Sequence, residues 1–351
     1  MAIDNHKLEE LVGTMINDLG AAYNAALVIT GDRLGLFRAI GEAGPLSSQE
    51  LAEKTGTYER YIREWLPAQA ASGYLNYDPG SDRYSMSPEQ IAVFCDEDSP
   101  YLLTGGFHGL RAVYDSEPKL TEAFRTGRGV AWGEHCSCLF CGTEKFFKPA
   151  YQASLIDVWL PALDGVVEKL RAGALVADVG CGHGVSTLIM AKAFPNSRFV
   201  GVDFHALSIE EARARAREEG VQNVTFQVAM AKRLQGRDYD LVTIFDALHD
   251  MGDPVGACRH IARALKPGGT MMVVEPSAED RLEDRLNPLG RFSYAASTAI
   301  CVPCSLAQEV GLALGSQAGE ERVSEVIREG GFSHCASVFK DPFNMVLEAR
   351  L

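Results

Sequence analysis

The residues best suited to chemistry fall in two short stretches of the second half of the chain. The first is Val176-Ala177-Asp178-Val179-Gly180-Cys181-Gly182-His183-Gly184. Three alternating glycines follow an apolar run there, so the backbone can turn sharply and a ligand can come closer than any Cβ would permit. An acid, Asp203, closes the next apolar run in Val200-Gly201-Val202-Asp203, where a carboxylate can accept from both hydroxyls of a ribose. Turn and acid together point to a nucleotide-type cofactor; the plainer alternatives are an ordinary tight turn and a helix N-cap. A dinucleotide fingerprint calls for glycine or alanine where this chain has Val185, which weakens a nicotinamide oxidoreductase reading. The second stretch is Asp246-Ala247-Leu248-His249-Asp250-Met251, just past an apolar run at 241–245, and Glu275 ends the run after it. A histidine titrating near neutrality at a strand end can take a proton from a nucleophile, and a carboxylate can orient it. The alternative is that His249 caps a loop or bonds to Asp250.

The elements that must position these residues are legible in the hydrophobic pattern. From residue 174 onward, strands are expected at 175–179, 198–202, 224–228, 241–245 and 270–275. Helices are expected from the glycine turn to 193, at 208–219 and at 254–265, and this alternation implies a parallel sheet with helices on both faces. Runs at 333–339 and 344–350 read as a closing antiparallel pair. Earlier, Leu8, Leu11, Val12, Met15, Ile16 and Leu19 make one stripe of an amphipathic helix that should dock on a partner surface. A helix at 34–40 follows, then a capping-box pattern at Ser47 and Glu50, a helix at 58–71 that Pro67 should kink, and a hairpin at 74–77 and 83–86. Helix, helix, helix, wing is a winged-helix arrangement. Its recognition-helix position carries Glu59 and Glu64 beside Arg60 and Arg63, so the charges cancel, and a dimer interface is favoured over DNA. Residues 90–170 hold few strand signals and many aromatics, 146–170 reads as helix interrupted by Pro149 and Pro161, and the region is expected to be a linker that covers a pocket. The domain reading is 1–90 winged helix for dimerisation, 91–170 helical linker and cover, and 171–351 cofactor-binding domain with a substrate-cap insertion at 281–320.

Composition limits the partners. With 33 basic and 47 acidic side chains the formal net charge is −14, the wrong sign for a protein that grips many phosphates, so no nucleic-acid partner is expected. No run resembles a signal peptide or an 18-residue membrane span, so a soluble, cytoplasmic protein is expected, with no membrane partner. Nine scattered cysteines suit free thiols in a reducing compartment. His135, Cys136, Cys138 and Cys141, and likewise Cys301 and Cys304, lack the paired spacing of a zinc site; no metal is expected.

The pattern Asp-x-Gly-x-Gly-x-Gly resembles motif I of class I S-adenosylmethionine-dependent methyltransferases. The order winged helix, helices, catalytic domain, together with Leu-His-Asp, is similar to winged-helix small-molecule O-methyltransferases. The chain further resembles, nearly end to end, a family of bacterial winged-helix methyltransferases that share Gly-Cys-Gly-His-Gly, Leu-His-Asp-Met-Gly-Asp-Pro and the insertion. This resemblance implies an α/β fold with a Rossmann-like, doubly wound, seven-stranded sheet whose last strand is antiparallel, beside a mainly α winged-helix domain in a homodimer. It implies S-adenosylmethionine as cofactor, with Asp178 near its ammonium, Gly180, Cys181 and Gly182 along its chain, and Asp203 on its ribose. Phe204, Met230, Ala231 and Phe245 complete the expected cofactor site. Met230 stands where many members carry an acid for the adenine amino group. By the same resemblance His249 is the general base and Glu275 its orienting partner. His108, Trp132, His135, Arg291 and Tyr294 are substrate-pocket candidates by position. The expected activity is methyl transfer to a small molecule. Two alternatives remain: a small-thiol S-methyltransferase, and a regulator that senses S-adenosylmethionine and binds DNA.

Overall fold

Residues 3–351 are described by a computed structural model, in which the chain forms two compact units. The first runs to Arg111 and takes in Cys141–Pro149; the second comprises Ala112–Phe140 and Ala150–Leu351.

The first unit holds α1 (Asn5–Arg33), α2 (Leu36–Ala43), α3 (Ser48–Thr55), α4 (Glu59–Ala71), the hairpin β1 (Asn76–Asp78) and β2 (Arg83–Ser85), and α5 (Pro88–Phe94). Both halves of the Ser47–Glu50 capping box are made, satisfying orphan N–H groups at the start of α3. Helix α4 continues unbroken through Pro67; Ile62, Trp65 and Leu66 beside it are buried in the core of the unit, and that packing outweighs the lost backbone bond. The apolar stripe of α1 is uncovered within this chain: Leu8, Leu11, Val12, Met15, Ile16 and Leu19 are between 45% and 65% exposed. The chain then passes through α6 (Thr104–Thr126) and α7 (Ser137–Ser154), and α7 runs on past Pro149, where an interruption is expected from the sequence. A π-turn at Leu155–Trp159 and α8 (Val166–Ala172) follow.

In the second unit come β3 (Leu175–Val179), α9 (Val185–Ala193), β4 (Arg198–Asp203), α10 (Ala206–Glu218), β5 (Val224–Val228), β6 (Tyr239–Phe245), α11 (Pro254–Ala264) and β7 (Leu265–Pro276). Then follow α12 (Pro288–Ala296), α13 (Val302–Leu306), α14 (Gly319–Glu329), β8 (His334–Lys340) and β9 (Asn344–Arg350). The sheet order is β5-β4-β3-β6-β7-β9-β8. Strands β3 to β7 pair in parallel, and β9 inserts antiparallel between β7 and β8. Every residue of β6 is buried, as a strand covered on both faces requires. Strand order reverses between β3 and β6, and the C-terminal ends of these two strands define the switch-point crevice where doubly wound sheets bind ligands. Among the described residues no helix is long and apolar enough to cross a membrane.

Candidate active site at the sheet switch point

Gly180, Gly182 and Gly184 all adopt left-handed backbone, with φ of 78°, 50° and 78°. The turn is tied to the neighbouring strand, since the N–H groups of Gly180 and Cys181 both donate to Val202 O, at 2.7 and 3.1 Å. The glycines serve different ends. A Cβ on Gly184 would stand 2.7 Å from the Phe226 ring, and one on Gly180 would stand 2.7 Å from Ala247 Cβ, whereas one on Gly182 would enter open space. Gly182 therefore lines a free volume, the kind of cradle that a cofactor chain needs.

Asp203, at the end of β4, accepts from Gly182 N at 2.9 Å through one oxygen and from His205 N at 2.8 Å through the other. Burial pushes its pKa up, and those two backbone bonds work against the rise. Phe204 beside it and Met230 past β5 are 44% and 38% exposed, two apolar side chains open at the rim, with Ala231 part-buried next to Met230. Asp178 is placed differently from the expectation of a cofactor contact. Its carboxylate is buried and accepts from Ser186 Oγ at 2.7 Å, Thr187 Oγ1 at 2.5 Å and Thr243 Oγ1 at 3.0 Å, locking β3 to the first turn of α9 and to β6. Cys181 turns its side chain into a packed group with Leu188, Ile209, Ala212 and Phe226. Phe245 is buried too, its ring 5.4 Å from that of Tyr151.

The structure brings His249 and Glu275 together. His249 is 3% exposed; its Nδ1 is bonded to Glu275 Oε2, while Glu275 Oε1 accepts from Leu248 N at 3.0 Å. On the other side Nε2 lies 3.3 Å from Asp250 Oδ1. Burial presses the imidazole pKa down, but the Glu275 and Asp250 carboxylates prevail and hold it well above the ordinary value. To act as a base, His249 must first release the proton that those carboxylates stabilise. Ligand atoms of His249, Asp250 and Cys301, one from each, lie within 4.8 Å of one another, a donor set that could hold a transition metal, although the His249–Asp250 pair already balances its charges.

The substrate candidates scatter. Trp132 stacks on Phe140, which packs on His205 just beyond Asp203, with ring centroids 5.3 and 4.6 Å apart. His135 is buried with Nδ1 on Ser116 Oγ at 2.9 Å, and burial, followed by the nearby Lys119, lowers its pKa. Tyr294 on α12 accepts from Arg285 at 3.2 Å, and Arg291 is exposed on the same helix. His108 belongs to the first unit, where it shares Asp32 with Lys145 at 2.7 and 2.5 Å, a structural ion cluster. The expectation of free thiols fails at Cys136 and Cys138, which form a disulfide; their Cα atoms are 5.3 Å apart, within bonding range.

Residues 170–330 match the family described as a methyltransferase domain, and residues 22–95 match an Rv2258c-like winged HTH domain. The first of these decides the reading of the sheet and its glycine turn. Residues 170–330 are a methyltransferase domain. The chain is 34% identical over 107 residues to the ubiquinone/menaquinone biosynthesis C-methyltransferase UbiE of Bdellovibrio bacteriovorus, covering 30% of this chain and 45% of that protein. It is 32% identical over 130 residues to the ubiquinone biosynthesis O-methyltransferase of Bordetella avium, covering 36% and 51%. The match thus spans about half the length of these curated relatives. Among solved structures, the human N-acetylserotonin methyltransferase in complex with SAM superposes with a TM-score of 0.68 at 19% identity, covering 100% of this chain and 99% of that one. The mitomycin 7-O-methyltransferase MmcR gives 0.68 at 20% identity, covering 99% and 100%. At such identities the two structures establish the fold alone.

Of the two acids near the expected base, Asp246 escaped the sequence reading, while Asp250 entered it as an alternative partner of His249. Asp246 directly follows β6 in a left-handed conformation with φ of 48°, and its Oδ2 accepts from Tyr151 OH at 2.6 Å. Asp250 closes the far side of His249. Both stand within three residues of His249, and that proximity was the available signal.

Proposed function

We propose that this chain is an S-adenosylmethionine-dependent methyltransferase that methylates a nucleophilic oxygen, or else a sulfur, of a small molecule and releases S-adenosylhomocysteine. The observation that carries this reading is Gly182, left-handed with open space at its Cβ position and its N–H on the acid that ends the next strand. S-adenosylmethionine supplies an electrophilic methyl on a sulfonium that is already a good leaving group. The residues of the chain need then only align the acceptor and manage its proton. Gly180 and Gly182 give the donor's chain its space, Asp203 presents a carboxylate at the ribose position, and Phe204 and Met230 offer apolar flanks to the adenine. His249, oriented by Glu275, takes the acceptor's proton at a pH where the imidazolium has dissociated.

Oxygen is favoured by the O-methyltransferases among the similar proteins, while a thiol, more acidic than an alcohol, would lean less on His249. A second copy of the chain is the proposed cover for the α1 stripe. Nucleic acid is not proposed as a partner: Arg60 and Arg63 of α4 are ion-paired with Glu64 and Glu59 of the same helix at 2.7 and 2.6 Å.

The test incubates the purified chain with S-adenosylmethionine and panels of phenols and thiols, with S-adenosylhomocysteine release as the readout. His249→Ala, checked for an intact thermal transition, is expected to lower phenol methylation by about 100-fold or more. An unchanged rate at every pH would sink the base role, and no release with any acceptor would sink the activity.

A further inference from the structure

The acids at the C-terminal edge of the sheet differ in what they already hold. Asp178 is engaged by three hydroxyls, Asp203 by two backbone N–H groups, and Glu275 by Leu248 N and His249. Asp250 is paired with His249. Asp250 Oδ1 makes no hydrogen bond among the described residues but has that ion pair, and Asp246 differs in having none. Its Oδ2 accepts from Tyr151 OH at 2.6 Å, but its Oδ1 is sealed from solvent and has no hydrogen-bond partner among the described residues. A buried carboxylate oxygen without a partner is costly, and the structure would not carry one here without a use for it.

Its place in the fold says what the use is. Asp246 stands at the end of β6, directly across the switch point from the glycine turn that follows β3. Ala247, the next residue, packs so close to Gly180 that a Cβ there would be 2.7 Å away. The backbone of Asp246 is held in its left-handed conformation by an N–H bond to Val274 O at 2.8 Å, which fixes where the carboxyl sits. The residue as a whole is only part-buried, and it adjoins the glycine turn through Ala247. Burial, and after it the neighbouring Glu275, push its pKa up to about 7 against the pull of the Tyr151 hydroxyl. An incoming cation would return it to the ionised state.

We propose that Asp246, rather than Asp178, receives the primary ammonium of the amino-acid part of the methyl donor. This rests on the donor assignment above and adds to it the acid that recognises the cationic end. Asp178 keeps a structural role, clamping strand, helix and neighbouring strand around the turn.

The test is calorimetric and needs no turnover. S-adenosylhomocysteine and its des-amino analogue, identical except for the ammonium, are titrated into the full chain. The wild type is expected to bind the ammonium-bearing ligand about 10- to 100-fold more tightly. In Asp246→Asn, an isosteric change that suits left-handed backbone, this gap should shrink to about twofold. In Asp178→Asn the gap should persist. A wild type that binds both ligands equally, or an Asp246→Asn chain that keeps the full gap, overturns the proposal and leaves the donor assignment standing. A wild type that binds neither overturns both.

Discussion

The same substitution at two glycines of one turn should separate packing from ligand space. In Gly184→Ala, the new Cβ would stand 2.7 and 2.8 Å from two atoms of the Phe226 ring and 3.0 Å from Ala212 Cβ, inside a buried cluster, with φ at 78°. Left-handed backbone costs an alanine about 1–2 kcal/mol. Overpacking adds about 1–3 kcal/mol, because Phe226 is wedged between Gly184 and Gly201 and has little room to yield. The variant should lose about 2–5 kcal/mol, which lowers the melting temperature of a unit this size by roughly 10 °C. In Gly182→Ala only the backbone part applies, since nothing lies within 4 Å of the new Cβ. Its stability should fall by about 1–2 kcal/mol at most. Affinity for S-adenosylhomocysteine should reverse the order: Gly182→Ala places a methyl group in the cradle and is expected to lose about tenfold or more, a penalty of at least 1.4 kcal/mol. Thermal melts and calorimetry on the two variants decide the matter. If Gly182→Ala melts as low as Gly184→Ala, or binds S-adenosylhomocysteine like the wild type, the division of labour within the turn is wrong.

Glu275→Gln removes the nearer of the two carboxylates that hold the His249 pKa up, so the ascending limb of the pH–rate profile, on which His249 loses its proton, should move to lower pH; a limb that stays in place contradicts the clamp. Linkage gives the matching stability sign. Stabilisation by the His249 imidazolium is complete below the unfolded histidine pKa and is lost as pH rises through the raised folded value, so melting temperatures of the wild type should decline on the alkaline side, and those of His249→Gln should do so less. Asp246 carries the opposite consequence: a carboxyl moved from 3.8 to about 7 makes folding less favourable as pH climbs between those values. Asp246→Asn should therefore be more stable than the wild type above that range, by up to about 4 kcal/mol in chemical denaturation, and a less stable variant would count against the buried, partnerless oxygen. Ile16→Glu, which places a charge at the most exposed position of the α1 stripe, should convert a dimer into a monomer in light scattering; a monomeric wild type refutes the self-association proposal.

Much of this fold was written in local pattern. The expected strands at 175–179, 224–228 and 344–350 coincide with β3, β5 and β9: β3 and β9 are largely buried on both faces, while β5, at the sheet edge, alternates apolar and polar residues with only Phe226 fully buried. Strand β7 begins earlier than expected, since Leu265 pairs with Tyr239 ahead of a register shift that Lys266-Pro267-Gly268-Gly269 disguises as a turn. The glycine turn and the acid after β4 were equally local, each defined within a few residues. What escaped depends on distant partners. Thr243, which engages Asp178, is 65 residues away, and Tyr151, which engages Asp246, is 95 away. No periodicity announces that Cys181 and Phe245 face inward, or that an aspartate will take the left-handed conformation usual for glycine. The Cys136–Cys138 link escaped because the cysteines were weighed as scattered thiols, when only the local backbone path decides whether two of them converge.

The most direct measurement for the whole account is equilibrium titration of S-adenosylhomocysteine into the purified full chain, with NADH titrated in parallel. Saturable binding of one S-adenosylhomocysteine per chain, abolished or sharply weakened in Asp203→Ala and unmatched by NADH, is the predicted result. Absence of any binding by well-folded protein, or preference for NADH, would contradict the assignment of the glycine turn to a sulfonium donor.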